Sequence, residues 1–227
     1  MLIYKLYKNQ QTKKQTMGRK SIEKERKSLS TKQKKWLANT MPFFYKNGIQ
    51  GPTMNDIAEY LNLSKATIYN YYESKDDLVH DALWLKLKEL EKFKDILNDG
   101  SLDFIERYTE AVKFASNCLA GLSEIYLDDL RMHYPKSWES VQYYKEKSAE
   151  NLKNYYNKGI EKGVLRPFNT ELMASYDLKF FNLMVDPSFL ISNNIRIETA
   201  FYEYFNMKFN GLLIKRDLSI LTNYQKN

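Results

Sequence analysis

Apolar residues recur at intervals of three and four along almost the whole chain after residue 29, and alternating apolar and polar runs of strand length are absent. These intervals match the 3.6-residue repeat of an α-helix. The segment 102–119 carries apolar residues on two faces, as expected of a helix that lies between two neighbours. The pattern therefore predicts an all-α protein of about nine helices.

Helix starts and breaks are predicted from the residues that usually mark them. Residues that can cap a helix precede the apolar runs, at Ser30 or Thr31, Thr53, Ser64, Ser74, Ser101, Ser137 and Thr170. Residues that interrupt helices mark the breaks, at 48, 51–52, 98–100, 134–135, 163–167 and 186–187.

The segment 53–78, TMNDIAEYLNLSKATIYNYYESKDDL, has the pattern of two short helices joined by a sharp turn. Thr53 is placed to cap the first helix, with Asp56 at its third position. Ile57 and Leu61 then share one face, because residues four apart lie on the same side of a helix. The small side chain of Ala58 beside them allows a second helix to cross closely.

The second half of this segment supplies the turn and the partner helix. Asn62 follows the first helix, and asparagine tolerates the left-handed conformation that a sharp turn needs. Ser64 is placed to cap the second helix, on which Ile68 and Tyr72 face back toward the first. This spacing is typical of a helix-turn-helix, whose second helix enters the major groove of DNA. An ordinary helix pair on the surface of a bundle is the alternative.

The opposite face of the second helix carries side chains suited to reading bases. Asparagine pairs with adenine, lysine pairs with guanine, and small methyl groups contact the thymine methyl. Lys75, in the first turn of the following helix, is placed to contact a phosphate. The predicted groove residues are Lys65, Ala66, Thr67, Tyr69, Asn70 and Tyr71, with Tyr72 assigned to the core.

These residues resemble the N-terminal signature of the TetR family of bacterial transcriptional regulators, over about residues 31–83. The resemblance rests on Gly48, Thr53, 56–58, 63–69, Tyr72, Ser74 and Lys75. Asn62 stands where the family usually has glycine, and Tyr72 where it usually has phenylalanine; both keep the physical role. By motif position, the resemblance places DNA contacts at Thr53 (phosphate), Lys65, Ala66, Thr67, Tyr69, Asn70, Tyr71 and Lys75.

Residues 1–29 lack a sustained apolar period, so we expect a basic, mostly disordered arm there. For the rest of the chain the resemblance implies a three-helix DNA-binding domain over 30–75, a connecting helix over 76–100, and a helical ligand-binding and dimerisation domain over 101–227. The loop 163–167 resembles one that the family often places between its seventh and eighth helices.

Charge is distributed unevenly along the chain. Residues 1–35 hold 12 of the 35 lysines and arginines but only two of the 28 acids, so the remainder is mildly acidic. A cationic arm on such a body suits contact with a polyanion such as DNA, because lysine and arginine release counterions from phosphates. A solvated tail is the alternative, and Met17 is a second candidate for the natural start.

The last two long helices carry apolar stripes that the resemblance assigns to a homodimer. Two such helices meeting their two-fold copies would form a four-helix interface. The alternative is that the stripes face their own core. The predicted interface residues are Tyr176, Phe180, Phe201, Phe205, Phe209 and Leu212.

The segment 101–160 is rich in aromatic residues, which suit a cavity for a small hydrophobic, aromatic or cationic molecule. Simple core packing is the alternative for each of them. The predicted ligand-binding residues are Phe104, Tyr108, Phe114, Tyr126, Tyr143 and Tyr144.

The sequence predicts a homodimeric, cytoplasmic repressor that leaves a palindromic operator on double-stranded DNA when a small hydrophobic ligand binds. The alternative is a DNA-binding protein whose C-terminal bundle binds a protein partner. We expect no enzyme, cofactor or metal site, since the chain has two histidines and one cysteine and lacks a phosphate-binding loop or nucleophile motif. We also expect neither a membrane span nor a signal peptide.

Overall fold

A computed structural model describes residues 29–184 and 187–213, so nearly all of the predicted arm lies outside the described residues. The described residues confirm the all-α fold class; they contain one isolated β-bridge, between Leu165 and Leu213, and no strand. The helices are α1 Thr31–Asn47, α2 Met54–Tyr60, α3 Lys65–Tyr71, α4 Lys75–Leu90, α5 Lys92–Leu97, α6 Phe104–Leu119, α7 Glu124–His133, α8 Pro135–Glu161, α9 Thr170–Met184, α10 Pro187–Ser192 and α11 Ile197–Leu212.

Eleven helices are therefore described, against about nine expected. The predicted connecting helix over 76–100 consists of α4 and α5, which are separated at Glu91. The six-residue α10 is too short to give a clear apolar repeat.

The predicted caps are confirmed in the N-terminal part of the chain. Ser30, Thr53, Ser64 and Ser74 each accept a hydrogen bond from the backbone N–H three residues later. Such bonds satisfy N–H groups that have no partner inside the helix.

Three predicted caps further along the chain are wrong. Asp103, in a capping box with Glu106, precedes α6, while Ser101 bonds to Asp99 in the preceding turn. Helix α8 begins at Pro135, since proline suits a first helical position, and Ser137 is buried within its first turn. Before α9 the side chain of Asn169, rather than Thr170, accepts from the Leu172 N–H.

Two clusters of buried residues form the interior. The N-terminal cluster joins α1–α4 to residues of α6, α7 and α8, and includes Phe44, Ile57, Ile68 and Tyr126. The C-terminal cluster joins α5, α6, α8, α9 and α11 around Tyr108. The N-terminal helices are thus packed directly against the C-terminal helices, and the predicted division at residue 100 stays a prediction.

We predict that the fold loses stability steeply above about pH 10. Burial raises the pKa of Tyr108, Tyr126, Tyr155 and Tyr156 well above its usual value. The unfolded chain loses these protons near pH 10 while the folded chain keeps them, so each tyrosine lowers stability by about 1.4 kcal/mol per pH unit above that point.

Lys208 changes the stability of the fold in the opposite direction, over a lower range of pH. Burial lowers its pKa from 10.5 to about 8, so the unfolded chain binds the extra proton between these values and stability rises with pH there. Urea unfolding at a series of pH values checks both signs. A free energy of unfolding that stays level from about pH 10 to about pH 11 would contradict the tyrosine argument.

Candidate nucleic-acid interface

Helices α2 and α3 and the turn between them have the geometry that the sequence predicts. The Thr53 hydroxyl lies 2.8 Å from an Asp56 carboxylate oxygen, which also accepts the Thr53 N–H at 2.7 Å. Asn62 has φ +54°, and the Leu63 N–H donates to the Ala58 carbonyl at 2.8 Å. The turn is therefore closed by a left-handed asparagine, as predicted.

The outer face of α3 is open to solvent. Side chains of five predicted contacts are exposed, and Thr67 is half-buried with its hydroxyl 2.8 Å from that of Ser64. Ile68 and Tyr72 lie in the core, as predicted. The exposed predicted contacts on α3 are Lys65, Ala66, Tyr69, Asn70 and Tyr71.

The N-terminal part of α1 lies beside the end of α3. The Tyr71 ring meets the Trp36 ring edge-on with centroids 5.3 Å apart, and the Lys32 ammonium lies 4.9 Å from the Trp36 ring. Lys34 and Lys35 on the same turn are exposed. This basic surface extends the exposed face of α3. The sequence places these lysines in the cationic stretch 1–35, but it does not show that they lie beside α3, because that contact depends on how α1 packs.

Lys75 has a different environment from the one expected. Its ammonium donates to the backbone carbonyls of Ile49, Gln50 and Pro52, at 2.8, 3.1 and 3.0 Å. A lysine ammonium has three donors, so a phosphate contact would require it to give up one of these bonds. Lys75 thus holds the loop 48–52 against the start of α4.

Asp129 of α7 holds the same loop from the other side. One of its carboxylate oxygens accepts the Ile49 N–H at 2.6 Å and the Gln50 N–H at 3.0 Å. Gly48 has φ +71°, and a Cβ there would lie 2.7 Å from this oxygen, so glycine permits the close approach. We call Lys75, Asp129 and the loop 48–52 the loop clamp.

The loop clamp predicts that replacing Asp129 lowers stability much more than replacing its neighbour Asp128. Asp129→Ala removes the acceptor of two backbone donors, and hydrogen bonds to charged groups contribute about 1.5–3 kcal/mol each. We expect the free energy of unfolding to fall by about 1.5–3 kcal/mol in total, the contribution of the Ile49 bond, because water can replace the exposed bond to Gln50; DNA affinity should fall with it. Asp128→Ala, which removes an exposed partner of Arg131, is the matched control and should change stability by less than about 0.5 kcal/mol. Equal effects of the two variants in urea unfolding would refute the role of the clamp.

The predicted ligand-binding residues do not gather at one site. Phe104 and Tyr108 lie in the C-terminal cluster, Tyr126 is buried in the N-terminal cluster against Tyr45, and Phe114 touches both clusters. Tyr143 and Tyr144 are half-buried on α8, and the Tyr144 hydroxyl donates to the Leu90 carbonyl. The six residues therefore do not line a single cavity, because they lie on different faces of α6, α7 and α8.

Four of the six predicted interface residues face the interior of their own chain. Because Phe201, Phe205, Phe209 and Leu212 are buried in the C-terminal cluster, they offer no contact surface. Phe180 is half-buried and Tyr176 is exposed. Other apolar side chains of these two helices are exposed instead, namely Leu172 and Leu183 on α9 and Met207 on α11.

A polar cluster that sequence reasoning missed lies inside the C-terminal helices. The Lys208 ammonium of α11 lies 2.6 Å from an Asp177 oxygen of α9 and 2.5 Å from the Tyr108 hydroxyl. Tyr156 accepts from Lys208 and donates to Asp177, and Tyr204 also donates to Asp177. We call these five residues the lysine cage; both charged side chains are almost fully buried.

A signal for the lysine cage is present in the sequence. Lys208 falls seven residues after Phe201 and four before Leu212, which are helical spacings for a shared face. Asp177 falls in the same way between apolar neighbours of α9. A charged residue within an apolar stripe of a helix is thus the sequence signal that indicates a buried ion pair.

The comparisons with known proteins agree with this geometry. Residues 37–82 match the family described as bacterial regulatory proteins, tetR family. The chain is 23% identical over 180 residues to YvaF of Bacillus subtilis strain 168, described as an uncharacterized HTH-type transcriptional regulator; the match covers 79% of this chain and 94% of YvaF.

Solved structures share the fold. A TetR-family regulator from Marinobacter aquaeolei VT8 matches with a TM-score of 0.66 and 18% identity, covering 86% of this chain and 99% of that one. AibR, crystallised with isovaleryl coenzyme A and operator DNA, matches with a TM-score of 0.53 and 14% identity, covering 67% and 85%.

The capped α2–turn–α3 unit with its exposed second helix defines a helix-turn-helix protein. Residues 37–82 carry the match to the tetR family of bacterial regulatory proteins, and the chain is a DNA-binding transcriptional regulator similar to HTH-type regulators over most of its length. No helix of the described residues is long and apolar enough to cross a membrane.

Proposed function

We propose that this regulator is a homodimeric, cytoplasmic repressor that binds a palindromic operator through α3 and leaves it when a small hydrophobic molecule binds the C-terminal helices. The observation that carries the proposal is α3, which is capped by Ser64 and has Lys65, Tyr69 and Asn70 exposed while its other face is buried. Such a helix presents base-reading side chains to the major groove at little conformational cost.

The exposed apolar residues of α9 and α11 support the dimer. Leu172, Tyr176 and Leu183 recur along one side of α9 and are 54, 57 and 45% exposed, while Met207 on α11 is 72% exposed. A two-fold axis beside these helices would bury this surface and pair two copies of α3. Two copies of α3 would then read half-sites about one helical turn apart.

The loop clamp supports a route from the C-terminal helices to DNA. Asp129 lies on α7, while the loop that it holds leads into α2. A ligand that moved α7 would therefore move the loop before the helix-turn-helix, provided that it binds the two arrangements with different affinities. That AibR is crystallised with both an acyl coenzyme A and operator DNA supports the pairing of these two activities on this fold.

Cross-linking and sequencing of the DNA bound to this protein in its own bacterium tests the proposal. Bound sites should contain an inverted repeat, and transcripts of the adjacent genes should rise when the gene for this protein is deleted. Transcripts that fall on deletion would contradict repression, and bound sites without a repeat would contradict the dimer.

A further inference from the structure

We propose that the lysine cage is a binding site for a small organic cation, an alkylammonium, which enters by replacing the ammonium of Lys208. The ligand class follows from the groups that surround this ammonium now. Its significance for regulation rests on the proposed function, whereas the binding itself does not.

The groups around the Lys208 ammonium form an aromatic cage. The nitrogen lies 3.8 Å from the ring centroid of Tyr108, 4.8 Å from Tyr156, 5.4 Å from Tyr204 and 5.6 Å from Phe209. The electron-rich faces of aromatic rings attract cations within about 6 Å, and cages of this kind bind quaternary ammonium ligands. The site therefore has the chemistry of an ammonium receptor, occupied by a residue of the chain itself.

The negative charge of the site is held independently of Lys208. The Asp177 carboxylate accepts hydrogen bonds from the hydroxyls of Tyr156 and Tyr204 as well as from the lysine. Hydrogen bonds to a carboxylate favour its charged form. An anionic ligand would meet this buried charge, whereas a cationic ligand would restore the neutral balance that Lys208 provides now.

Lys208 is the exchangeable member of the pair. Its ammonium ends a flexible four-carbon stem, while the Asp177 carboxylate is one carbon from the backbone. Desolvation lowers the pKa of Lys208, because burial disfavours its charge and the bond to Asp177 offsets this only in part. Breaking the pair by withdrawing the lysine alone leaves an unpaired carboxylate, which an incoming cation would satisfy.

The position of the lysine cage indicates where a ligand would enter and how its binding would affect the contact between α9 and α11. Tyr204, which bonds Asp177, is half-buried and stacks at 3.7 Å on the half-buried ring of Phe180, so this ring pair lies between the cage and solvent. Tyr176 and Met207, exposed on the outer faces of α9 and α11, are the sequence neighbours of Asp177 and Lys208. Exchange of the lysine would release one of the two bonds that join Asp177 of α9 to α11, beside the proposed dimer surface, and leave the bond from Tyr204.

Chemical labelling of the full-length protein tests the exchange. Lysines are acetylated with and without tetramethylammonium chloride, against sodium chloride at equal ionic strength, and mass spectrometry of peptides gives the rate at each site. We expect the cation to raise acetylation of Lys208 at least tenfold, because the displaced side chain becomes accessible. Acetylation of Lys153, an exposed lysine paired with Glu171, should not change, and tert-butanol, a neutral molecule of similar size, should have no effect on Lys208.

A variant without the resident cation gives a second, independent readout. Lys208→Ala should bind n-propylammonium, which has the three carbons and the nitrogen that the variant lacks, at least tenfold more tightly than the wild type in calorimetry, because no side chain has to be displaced. Lys153→Ala is the matched control and should bind as the wild type does. Failure of the cation to expose Lys208 in the folded wild type overturns the proposal, whether or not Lys208→Ala folds.

Neither readout uses DNA, so the two proposals fail separately. If the cation exposes Lys208 but the protein stays on its operator, the cage stands as a binding site and ligand release by it is refuted.

Discussion

Tyr176→Glu should convert the proposed dimer into monomers and lower operator affinity by on the order of 100-fold or more, because a monomer keeps the contacts of one half-site only. Tyr176 is 57% exposed and lies between Leu172 and Leu183 on the apolar side of α9. A glutamate there would have to be buried without a partner at the two-fold interface, which is strongly unfavourable. Sedimentation velocity measures the association state, and titration of an operator duplex measures the affinity.

Met132→Glu is the matched control for this variant. Met132 is 66% exposed on α7, so it offers an exposed apolar side chain outside the α9–α11 surface. The control should remain dimeric, and a Tyr176→Glu protein that sediments like the wild type would remove this surface from the interface. Charged replacements of Phe205 or Phe209 are expected to unfold the chain, since both side chains are fully buried in their own protomer.

Asn70→Ala should change which sequence the protein prefers more than it changes total DNA binding. An asparagine that bonds both edge atoms of an adenine discriminates by about 1–3 kcal/mol against other bases, which corresponds to roughly 5-fold to 150-fold. Asn70 is exposed and does not pack in the core, so the variant should fold normally. The loss of discrimination between bases should therefore appear at one base pair of each half-site. Competition titrations with operators changed at single positions measure it.

Asn154→Ala is the control for this second prediction. Asn154 is exposed on α8, in the C-terminal part of the chain. It should bind the operator and its single-position variants as the wild type does. An Asn70→Ala protein with unchanged preference at every position would show that this side chain does not read a base.

The helix-turn-helix could be predicted from the sequence because it depends on local interactions. The caps at Thr53 and Ser64 act over three residues, and the left-handed turn is specified by Asn62 itself. Apolar spacing also places Ile68 in the core, because the two helices are joined by so short a turn that few packings are possible.

The C-terminal half could be predicted only as helices. Periodicity shows which residues share a face, but not which neighbour covers that face. Phe205 and Phe209 belong to an apolar stripe that could equally well face a partner or the core of their own chain, and the structure places both in the core. The hydrogen bond from the Ile49 N–H to Asp129 spans 80 residues of sequence, and no local pattern indicates a bond between them.

The central claim is that two copies of α3 read specific DNA as a pair, and selection of bound sequences from a random DNA pool at fixed, moderate salt tests it most directly. The account predicts a palindrome whose half-sites lie about one helical turn apart. Recovery of sequences with no common site would contradict it, since binding would then rest on phosphate contacts alone.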